Sequence, residues 1–199
     1  IGKNCRIFPG SVISAIPQDL KFSGEKSLTI IGNDCTIREC ATINRGTSAS
    51  GRTIVGDNCL IMAYAHIAHD CIIGDNCIIV NSVALGGHVT IGKFAIIGGL
   101  SAIHQFSSIG QHAMVSGGSL VRKDVPPYIK AAREPLSFVG INSIGLRRRG
   151  FSDAKIKEIQ EIFRILYQKN NNNTQADKKS LLEMAIFHYP AFSTKHLVI

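Results

Sequence analysis

The chain has 199 residues, and its 22 lysines and arginines outnumber its 14 acidic residues, which gives a net charge of +8. This length can form one domain with its own core, or one domain with an appendage. No stretch of about 18 consecutive apolar residues occurs, so the sequence contains no candidate membrane-spanning helix. The positive charge suits an anionic partner, such as nucleic acid, a nucleotide or an acidic carrier protein, and does not choose among them.

A six-residue repeat runs through the first two thirds of the chain. Stepping by six from Val55 to Val121 meets twelve aliphatic residues in succession. The same step continues below Val55 in two shorter series, Ile43, Ile37 and Ile31, then Ile13, Ile7 and Ile1. This period is typical of a parallel β-helix, in which three short strands make one triangular coil and the aliphatic side chain points inward. We therefore predict a β-helix over residues 1–125, and expect further coils upstream because the chain starts inside the repeat.

The residue two places before each aliphatic position is small, as expected for a second inward slot. Five of the six cysteines occupy this slot, and only Cys40 is out of register; the five are Cys5, Cys35, Cys59, Cys71 and Cys77. We interpret them as buried small residues rather than as disulfide partners or zinc ligands. Reduced thiols indicate a cytoplasmic setting.

Two polar stretches interrupt the repeat, residues 15–28 and residues 46–52. The second adds about one six-residue unit between the coil at Ile31 and the coil at Val55. Loops that leave a rigid solenoid commonly form its binding surface, so we expect both loops to contact a ligand.

The repeat ends at the motif KDVPPY, whose paired prolines exclude a helix and a central strand. We predict an irregular connection over residues 126–150 and a small helical domain over residues 151–199. Its first helix has Ser152 as N-cap and apolar residues at helical spacing, namely Ile156, Ile159, Ile162, Phe163 and Leu166. Asparagines 170–173 predict a linker and residues 175–187 a second helix. This domain either caps the β-helix or packs between subunits.

Residues 18 apart should lie in one column on successive coils, about 4.8 Å apart. His69 then lies beneath Gly87, and Asp70 lies beneath His88. The predicted patch of wall collects His66, His69, Asp70, His88, His104 and Gln105 around a floor of Gly86 and Gly87. None of these polar residues occupies an inward slot.

Two chemistries compete for this patch. His69 can act as a general base that Asp70 orients, and the free N–H of a glycine such as Gly87 can stabilise an oxyanion. Alternatively, three histidines can bind zinc, as in hexapeptide-repeat carbonic anhydrases. The adjacent Asp70 and the Gly86-Gly87 pair favour acyl transfer.

Charged residues outside the patch point to a phosphate-containing ligand. Arg147, Arg148 and Arg149 precede the helical domain without interleaved aromatic residues, which argues against nucleic acid. Arginine holds phosphate oxygens in a fork, so a nucleotide diphosphate is a reasonable target. Asp19 and Lys21 place a carboxylate and a cation in the first loop.

The motifs IPQDLK, TINRGT, AHIAHD, GGHV, HQF, DVPPY and GINSIGLRRRGF resemble, in order and spacing, the acyl-[acyl-carrier-protein]–UDP-N-acetylglucosamine O-acyltransferases of lipid A biosynthesis. The resemblance covers nearly the whole chain. It implies a left-handed parallel β-helix with a helical C-terminal domain, and a homotrimer with active sites between subunits. It also implies a cytoplasmic bacterial enzyme without a cofactor, whose acyl donor is the phosphopantetheine-bearing acyl carrier protein.

The resemblance also implies roles for individual residues. His69 is the expected general base for the sugar 3-hydroxyl, Asp70 orients it, and the Gly87 amide holds the oxyanion. The expected substrate-binding residues are Asp19, Lys21, His66, His88, His104, Gln105, Gly117, Asn142, Arg148 and Arg149. Among them, Gly117 falls where the family gauges acyl-chain length.

Two residues depart from the family pattern, and three rival functions remain. Asn44 stands where better-known members carry histidine, and Ile144 replaces an acidic residue; both changes concern nucleotide contacts. The rivals are the related N-acyltransferase of the same pathway, a zinc carbonic anhydrase, and a non-catalytic scaffold. The complete PQDLK and RRRGF motifs argue against the N-acyltransferase.

Overall fold

The computed structural model describes residues 1–167. The predicted linker at 170–173 and second helix at 175–187 lie outside the described residues.

Short strands occupy most of the described chain. They are β1 (Arg6–Ile7), β2 (Val12–Ala15), β3 (Leu28–Ile31), β4 (Thr36–Ile37), β5 (Thr42–Asn44), β6 (Arg52–Val55), β7 (Leu60–Ile61), β8 (His66–Ile67), β9 (Ile72–Ile73), β10 (Ile78–Ile79), β11 (Ala84–Leu85), β12 (Thr90–Ile91), β13 (Ile96–Ile97), β14 (Ala102–Ile103), β15 (Ser108–Ile109), β16 (Met114–Val115), β17 (Leu120–Val121), β18 (Ile129–Ala132) and β19 (Ser137–Ile141). Two helices follow, α1 (Ser143–Arg148) and α2 (Asp153–Tyr167).

From β1 to β17 every third strand belongs to the same sheet, which makes three faces of a triangular coil. The sheets run β1-β4-β7-β10-β13-β16-β18-β19, then β17-β14-β11-β8-β5-β2, and β15-β12-β9-β6-β3. Pairing is parallel throughout, except between β18 and β19. This is the predicted parallel β-helix.

The 18-residue register holds wherever the six-residue repeat is unbroken. Ile79 pairs with Ile61 on one side and with Ile97 on the other. Below these coils the pairing skips further, because Ile31 aligns with Val55 across the loop at 45–51. The longer loop at 16–27 likewise separates β2 from β3.

The core is a column of aliphatic and small side chains along the axis. Inward isoleucines such as Ile61, Ile67 and Ile79 are fully buried, and so are Cys71 and Cys77. Burial raises the pKa of the Cys71 thiol to about 12, so it stays protonated and donates to the Gly86 carbonyl at 3.2 Å. All six thiols are free, and the out-of-register Cys40 is exposed, as expected. Four of the five predicted inward cysteines are buried, which confirms them as small core residues, whereas Cys5 on the first coil is half-buried.

Residues 126–150 are not the irregular connection that the paired prolines predicted. After the prolines, β18 pairs with β16, and β19 folds back on β18 as an antiparallel strand. The prolines interrupt the coil locally, but alternating burial resumes over Ile129–Ala132 and restores strand pairing. The Asn142 side chain then accepts a hydrogen bond from the Gly145 N–H at 3.3 Å and caps α1.

Helix α2 begins as its sequence predicts. The Ser152 hydroxyl accepts a hydrogen bond from the Lys155 N–H at 3.2 Å, and Ile156, Ile159 and Phe163 are buried. Phe163 stacks on Phe138 of β19 at 5.8 Å between ring centroids. The helix thus packs against the end of the β-helix, which fits the capping alternative. Neither helix in the described part is long and apolar enough to cross a membrane.

Candidate active site

His69 and Asp70 lie together at the corner between β8 and β9. The His69 Nδ1 atom is 2.8 Å from Asp70 Oδ2. Successive residues of an extended strand point to opposite faces. Asp70 instead adopts φ 59° at the corner, so its side chain turns toward its neighbour. The hydrogen bond orients the imidazole and leaves Nε2 for a substrate.

The loop at 45–51 holds the Asp70 carboxylate in place. Thr47 donates from its backbone N–H at 3.0 Å and from its hydroxyl at 2.6 Å, and the Ser50 hydroxyl donates a further, short hydrogen bond. The Asp70 N–H donates to the Thr53 hydroxyl at 2.9 Å. The Asp70 side chain is fully buried. Burial acts to raise its pKa, but the hydrogen bonds from Ser50, Thr47 and His69 outweigh it and hold the pKa well below its ordinary value.

Thr47 and Ser50 were missed in the sequence because their role depends on how the loop folds back. The hydroxyl-rich insertion GTSASGR directly below Asp70 was the available signal. The loop was expected to contact a ligand, and in the structure it also supports the proposed catalytic pair.

Gly87 lies against the face of His69. A Cβ atom at Gly87 would come within 2.5 Å of the His69 Cε1 and 2.6 Å of Nε2, so no other residue fits without moving the imidazole. Within residues 1–167 the Gly87 N–H has no hydrogen-bond partner. The residue that packs on the His69 ring therefore carries a backbone donor that is unpaired within the described part of the chain.

His88 and Phe106 continue the column above Asp70, as the 18-residue register predicts. His88 Nε2 is 3.8 Å from Asp70 Oδ2, and its ring meets His69 edge-on at 5.1 Å. The other face of His88 stacks on Phe106 at 4.4 Å with an interplanar angle of 6°. The stack fixes the ring of His88 beside His69 and Asp70.

The remaining patch residues lie on the same wall. The His66 Nδ1 is 2.7 Å from the Thr42 hydroxyl, and burial, with a smaller contribution from His69, lowers the His66 pKa. His104 and Gln105 are exposed one coil above the glycine pair, and the His104 Nδ1–H donates to the Gln105 carbonyl at 3.0 Å.

Asp19 and Lys21 lie in the first loop, where the Lys21 N–H donates to Asp19 Oδ1 at 3.0 Å. This loop is joined to the second loop, since Glu25 Oε1 accepts from the Ser48 N–H at 2.9 Å. The two loops therefore form one unit that reaches Asp70 through Thr47 and Ser50.

Other predicted substrate residues lie at different corners of the same chain. Gly117 follows β16 and packs over Gly99, whose carbonyl oxygen would be 3.0 Å from an added Cβ. Asn142 and Arg149 meet His112, which follows β15: the Asn142 amide donates to the His112 carbonyl at 2.9 Å. A single described chain does not bring these residues to His69.

His112 was not singled out in the sequence. It is buried, its ring stacks with Phe94 at 4.9 Å, and Arg149 Nη1 approaches its Nδ1 at 3.5 Å. Burial, and secondarily the Arg149 charge, lowers the His112 pKa to about 4. Of the neighbouring arginines, Arg147 pairs with Asp153 at 2.8 Å and Arg148 is exposed.

One cluster of side chains in the described residues has the spacing of a possible zinc site. Ligand atoms of His69, Asp70 and His88 lie within 4.8 Å of one another. The Asp70 oxygens, however, already accept hydrogen bonds from Thr47, Ser50 and His69. A metal would have to displace these donors from a fully buried carboxylate, so the geometry favours the general-base interpretation.

Two family models match the chain. Residues 52–87 match the bacterial transferase hexapeptide model, and residues 124–194 match domain 2 of UDP N-acetylglucosamine O-acyltransferase.

Individual relatives agree with these models. Over 169 residues the chain is 62% identical to the acyl-[acyl-carrier-protein]–UDP-N-acetylglucosamine O-acyltransferase of Chlorobaculum parvum, which covers 84% of the chain and 64% of that protein. The protein of the same description from Aquifex aeolicus is 63% identical over 163 residues, or 81% of the chain and 62% of that protein. The chain thus spans somewhat less than two thirds of the length of these relatives.

A solved structure of a UDP-N-acetylglucosamine acyltransferase from Bacteroides fragilis superposes with a TM-score of 0.88 and 49% identity. The match covers 95% of this chain and 73% of that one. The left-handed parallel β-helix expected from the sequence is confirmed by this neighbour. This protein belongs to the family of acyl-[acyl-carrier-protein]–UDP-N-acetylglucosamine O-acyltransferases.

Proposed function

We propose that this chain carries the chemistry of an enzyme that transfers a 3-hydroxyacyl group from acyl carrier protein to the 3-hydroxyl of UDP-N-acetylglucosamine, the first step of lipid A biosynthesis. The observation that carries the proposal is the arrangement of His69, which is hydrogen-bonded to the buried Asp70 carboxylate and packs against Gly87, whose N–H has no partner within residues 1–167. The names of the relatives state the same donor and acceptor.

The reaction begins with proton transfer to His69. Its Nδ1–H is held by Asp70, so the neutral ring presents Nε2 as the base. Nε2 takes the proton of the sugar 3-hydroxyl as that oxygen attacks the thioester carbonyl carbon. Asp70, ionised because its pKa is lowered, stabilises the imidazolium that forms.

The Gly87 N–H faces the oxygen on which negative charge develops. A preorganised backbone donor is worth most at that stage, since it needs no rearrangement. When the tetrahedral intermediate collapses, the carbon–sulfur bond breaks and the leaving thiolate takes the proton back from His69. The products are the 3-O-acylated sugar nucleotide and the carrier thiol, and the base is restored.

We further propose a homotrimer whose active sites lie between subunits. Gly117, Asn142 and Arg149 lie at other corners of the triangular coil than His69, so a neighbouring chain would have to supply them to one site. A triangular solenoid presents three flat faces, which suits packing around a threefold axis.

The proposed chemistry needs no bound cofactor, because the phosphopantetheine thioester of the donor is already activated and His69 moves the proton. In the proposed complex the acyl carrier protein is an acidic partner, and its negative charge complements the net charge of +8 on this chain. Six free thiols support a cytoplasmic location.

The test is an assay of the full-length polypeptide with UDP-N-acetylglucosamine and a series of 3-hydroxyacyl carrier proteins. We expect His69→Ala to lower kcat by roughly 100- to 10,000-fold, the usual effect of losing a general base. The oligomeric state should be unchanged, since His69 is not part of the core, and the melting temperature should fall only by the loss of one hydrogen bond to Asp70. A fully active His69→Ala enzyme would exclude this base. Stoichiometric zinc that disappears in the same variant would instead support the metal alternative.

A further inference from the structure

Asn44 and Arg45 are consecutive residues with buried polar atoms that lack partners. Within the described part of the chain, Asn44 Oδ1 and Arg45 Nε are inaccessible to solvent and form no hydrogen bond. Asn44 is only 3% exposed, and its amide nitrogen donates to the Ile16 carbonyl at 3.2 Å. Buried polar groups in proteins nearly always form hydrogen bonds, so two unpaired polar atoms in consecutive residues are unusual and suggest a missing partner.

The register places Arg45 directly below His69. Thr42 aligns with His66 and Ile43 aligns with Ile67 in the next coil. Two residues further, Arg45 reaches the position one coil beneath His69, about 4.8 Å away along the column. No other arginine of the described chain occupies the column of His69 and Gly87.

The first loop lies on the other side of Arg45. The Arg45 N–H donates to the Ala15 carbonyl at 3.0 Å, where this loop begins. The guanidinium carbon lies 5.3 Å from the centroid of the Phe22 ring. Phe22 follows Lys21 and Asp19, so Arg45 stands between the predicted nucleotide loop and the proposed base.

Arg38 is an arginine whose guanidinium is paired within this chain, and it serves as a comparison for Arg45. Its guanidinium also lies over an aromatic ring, Phe8, at 4.7 Å, and in addition it holds Glu39 through two hydrogen bonds of 2.9 Å. Over residues 1–167, Arg45 makes the aromatic contact but no hydrogen bond or ion pair through its guanidinium. A half-buried cation without a carboxylate is unfavourable unless an external anion completes it.

We propose that Arg45, supported by Asn44, binds a phosphate oxygen of the sugar-nucleotide acceptor. The inference rests on the proposed function. In that acceptor the diphosphate is joined to the same sugar ring whose 3-hydroxyl must reach His69, so a cation one coil from the base is suitably placed. The planar fork of arginine matches phosphate geometry. Lys21 adds a second cation in the adjoining loop.

The decisive measurement is the binding of UDP by calorimetry, together with steady-state kinetics, on the full-length polypeptide. We expect Arg45→Gln to weaken UDP binding and to raise KM for UDP-N-acetylglucosamine by about 10-fold or more, the loss typical of a charge-assisted hydrogen bond. KM for the acyl donor and kcat should change less than about 3-fold. Arg45→Lys should recover part of the affinity, since it keeps the charge but not the fork.

Asn44→Asp is a second variant of nearly the same shape. It puts a negative charge beside Arg45 in the chain, which should repel a phosphate and weaken UDP binding again. Because the Asn44 donor to the Ile16 carbonyl is lost, the melting temperature is measured alongside. Arg164→Gln is the matched control, because Arg164 is exposed on α2 and pairs with Glu161 of the same helix. It should bind UDP like the wild type.

The outcomes separate this subsite from the proposed function. If the wild type turns over and binds UDP but both Arg45→Gln and Asn44→Asp bind it equally well, the subsite is excluded. A rise in KM confined to the acyl donor would assign Arg45 to the donor phosphate and also overturn it. A wild type that neither binds UDP nor transfers acyl groups would refute the proposed function and the subsite together.

Discussion

Two corners of the β-helix share one backbone conformation and differ in electrostatics. Both repeat a residue with φ near 60° on three successive coils; the first corner carries Asp70, His88 and Phe106, and the second carries Asn76, Phe94 and His112. Each places a histidine in a stack with a phenylalanine. The backbone geometry is therefore common to both and does not by itself make a site.

The neighbours of each histidine make the difference. At the first corner a buried carboxylate holds His69 and lies 3.8 Å from His88. At the second corner His112 faces Arg149, and burial with this cation lowers its pKa to about 4. The first arrangement would stabilise an imidazolium as it forms, whereas the second keeps its imidazole neutral. In the proposed mechanism the first corner therefore supports a base, and the second holds a stacked, neutral histidine.

The largest expected difference between the two corners comes from removing one carboxylate at or beside each of them. Asp70→Asn should lower kcat by roughly 100- to 10,000-fold, because an amide favours the wrong tautomer of His69 and cannot stabilise its cation. Asp75→Asn is the matched change beside the second corner, where Asp75 pairs with Lys93 at 2.7 Å near the surface. It should change kcat by less than about 2-fold. Similar losses in both variants would show that Asp70 acts only through stability.

The support of Asp70 by its loop gives a smaller effect. In the double variant Thr47→Val, Ser50→Ala, we expect about a 10-fold lower kcat and about 2–3 kcal/mol less stability, since two donors to a buried charge are lost. Asp70 has a lowered folded-state pKa, so its stabilising contribution is present above its ordinary pKa of 3.8 and is lost as the pH falls below it. In the variant this pKa rises, so the loss of stability on acidification should begin at a higher pH than in the wild type.

Ser48→Ala is the control within the same loop. Ser48 contacts Glu25 through its backbone N–H, which the substitution retains. Its stability should depend on pH as that of the wild type does. A double variant with an unshifted dependence would mean that the hydroxyl groups of Thr47 and Ser50 do not tune Asp70.

The smallest effect on turnover is expected at the second corner. His112 has a folded-state pKa of about 4 against an ordinary value of 6.5, so the unfolded chain binds more protons between these values. Stability should therefore fall by roughly 3 kcal/mol as the pH is lowered from 7 to 4 through this group alone. Denaturant unfolding at both pH values should show a smaller fall in His112→Phe, which keeps the stack. His104→Gln, at an exposed histidine, should retain the wild-type dependence. An equal fall in all three proteins would exclude His112 as the cause.

Much of the wall could be predicted because the repeat is periodic. Once Ile67 is assigned inward, the 18-residue step alone brings His69 beneath Gly87 and Asp70 beneath His88, and the structure has both contacts. The small inward slot likewise accounts for the buried cysteines. These relations are local consequences of strand alternation and coil length.

Where the six-residue repeat is interrupted, the period no longer predicts the position of a residue. The paired prolines hid β18 and β19, since the strand pairing that resumes after them depends on the last coil rather than on the local sequence. His112 was overlooked because its aromatic and arginine neighbours come from segments far apart in the chain.

The sequence by itself determined the β-helix, its inward residues and the two columns that place His69 beneath Gly87 and Asp70 beneath His88, because a fixed period translates directly into position on a coil. Only the tertiary structure decided how the two inserted loops fold back, that Thr47 and Ser50 donate hydrogen bonds to Asp70, and that Arg45 Nε has no hydrogen-bond partner within residues 1–167. Loops have no period, so their hydrogen bonds are set by the rigid wall on which they lie.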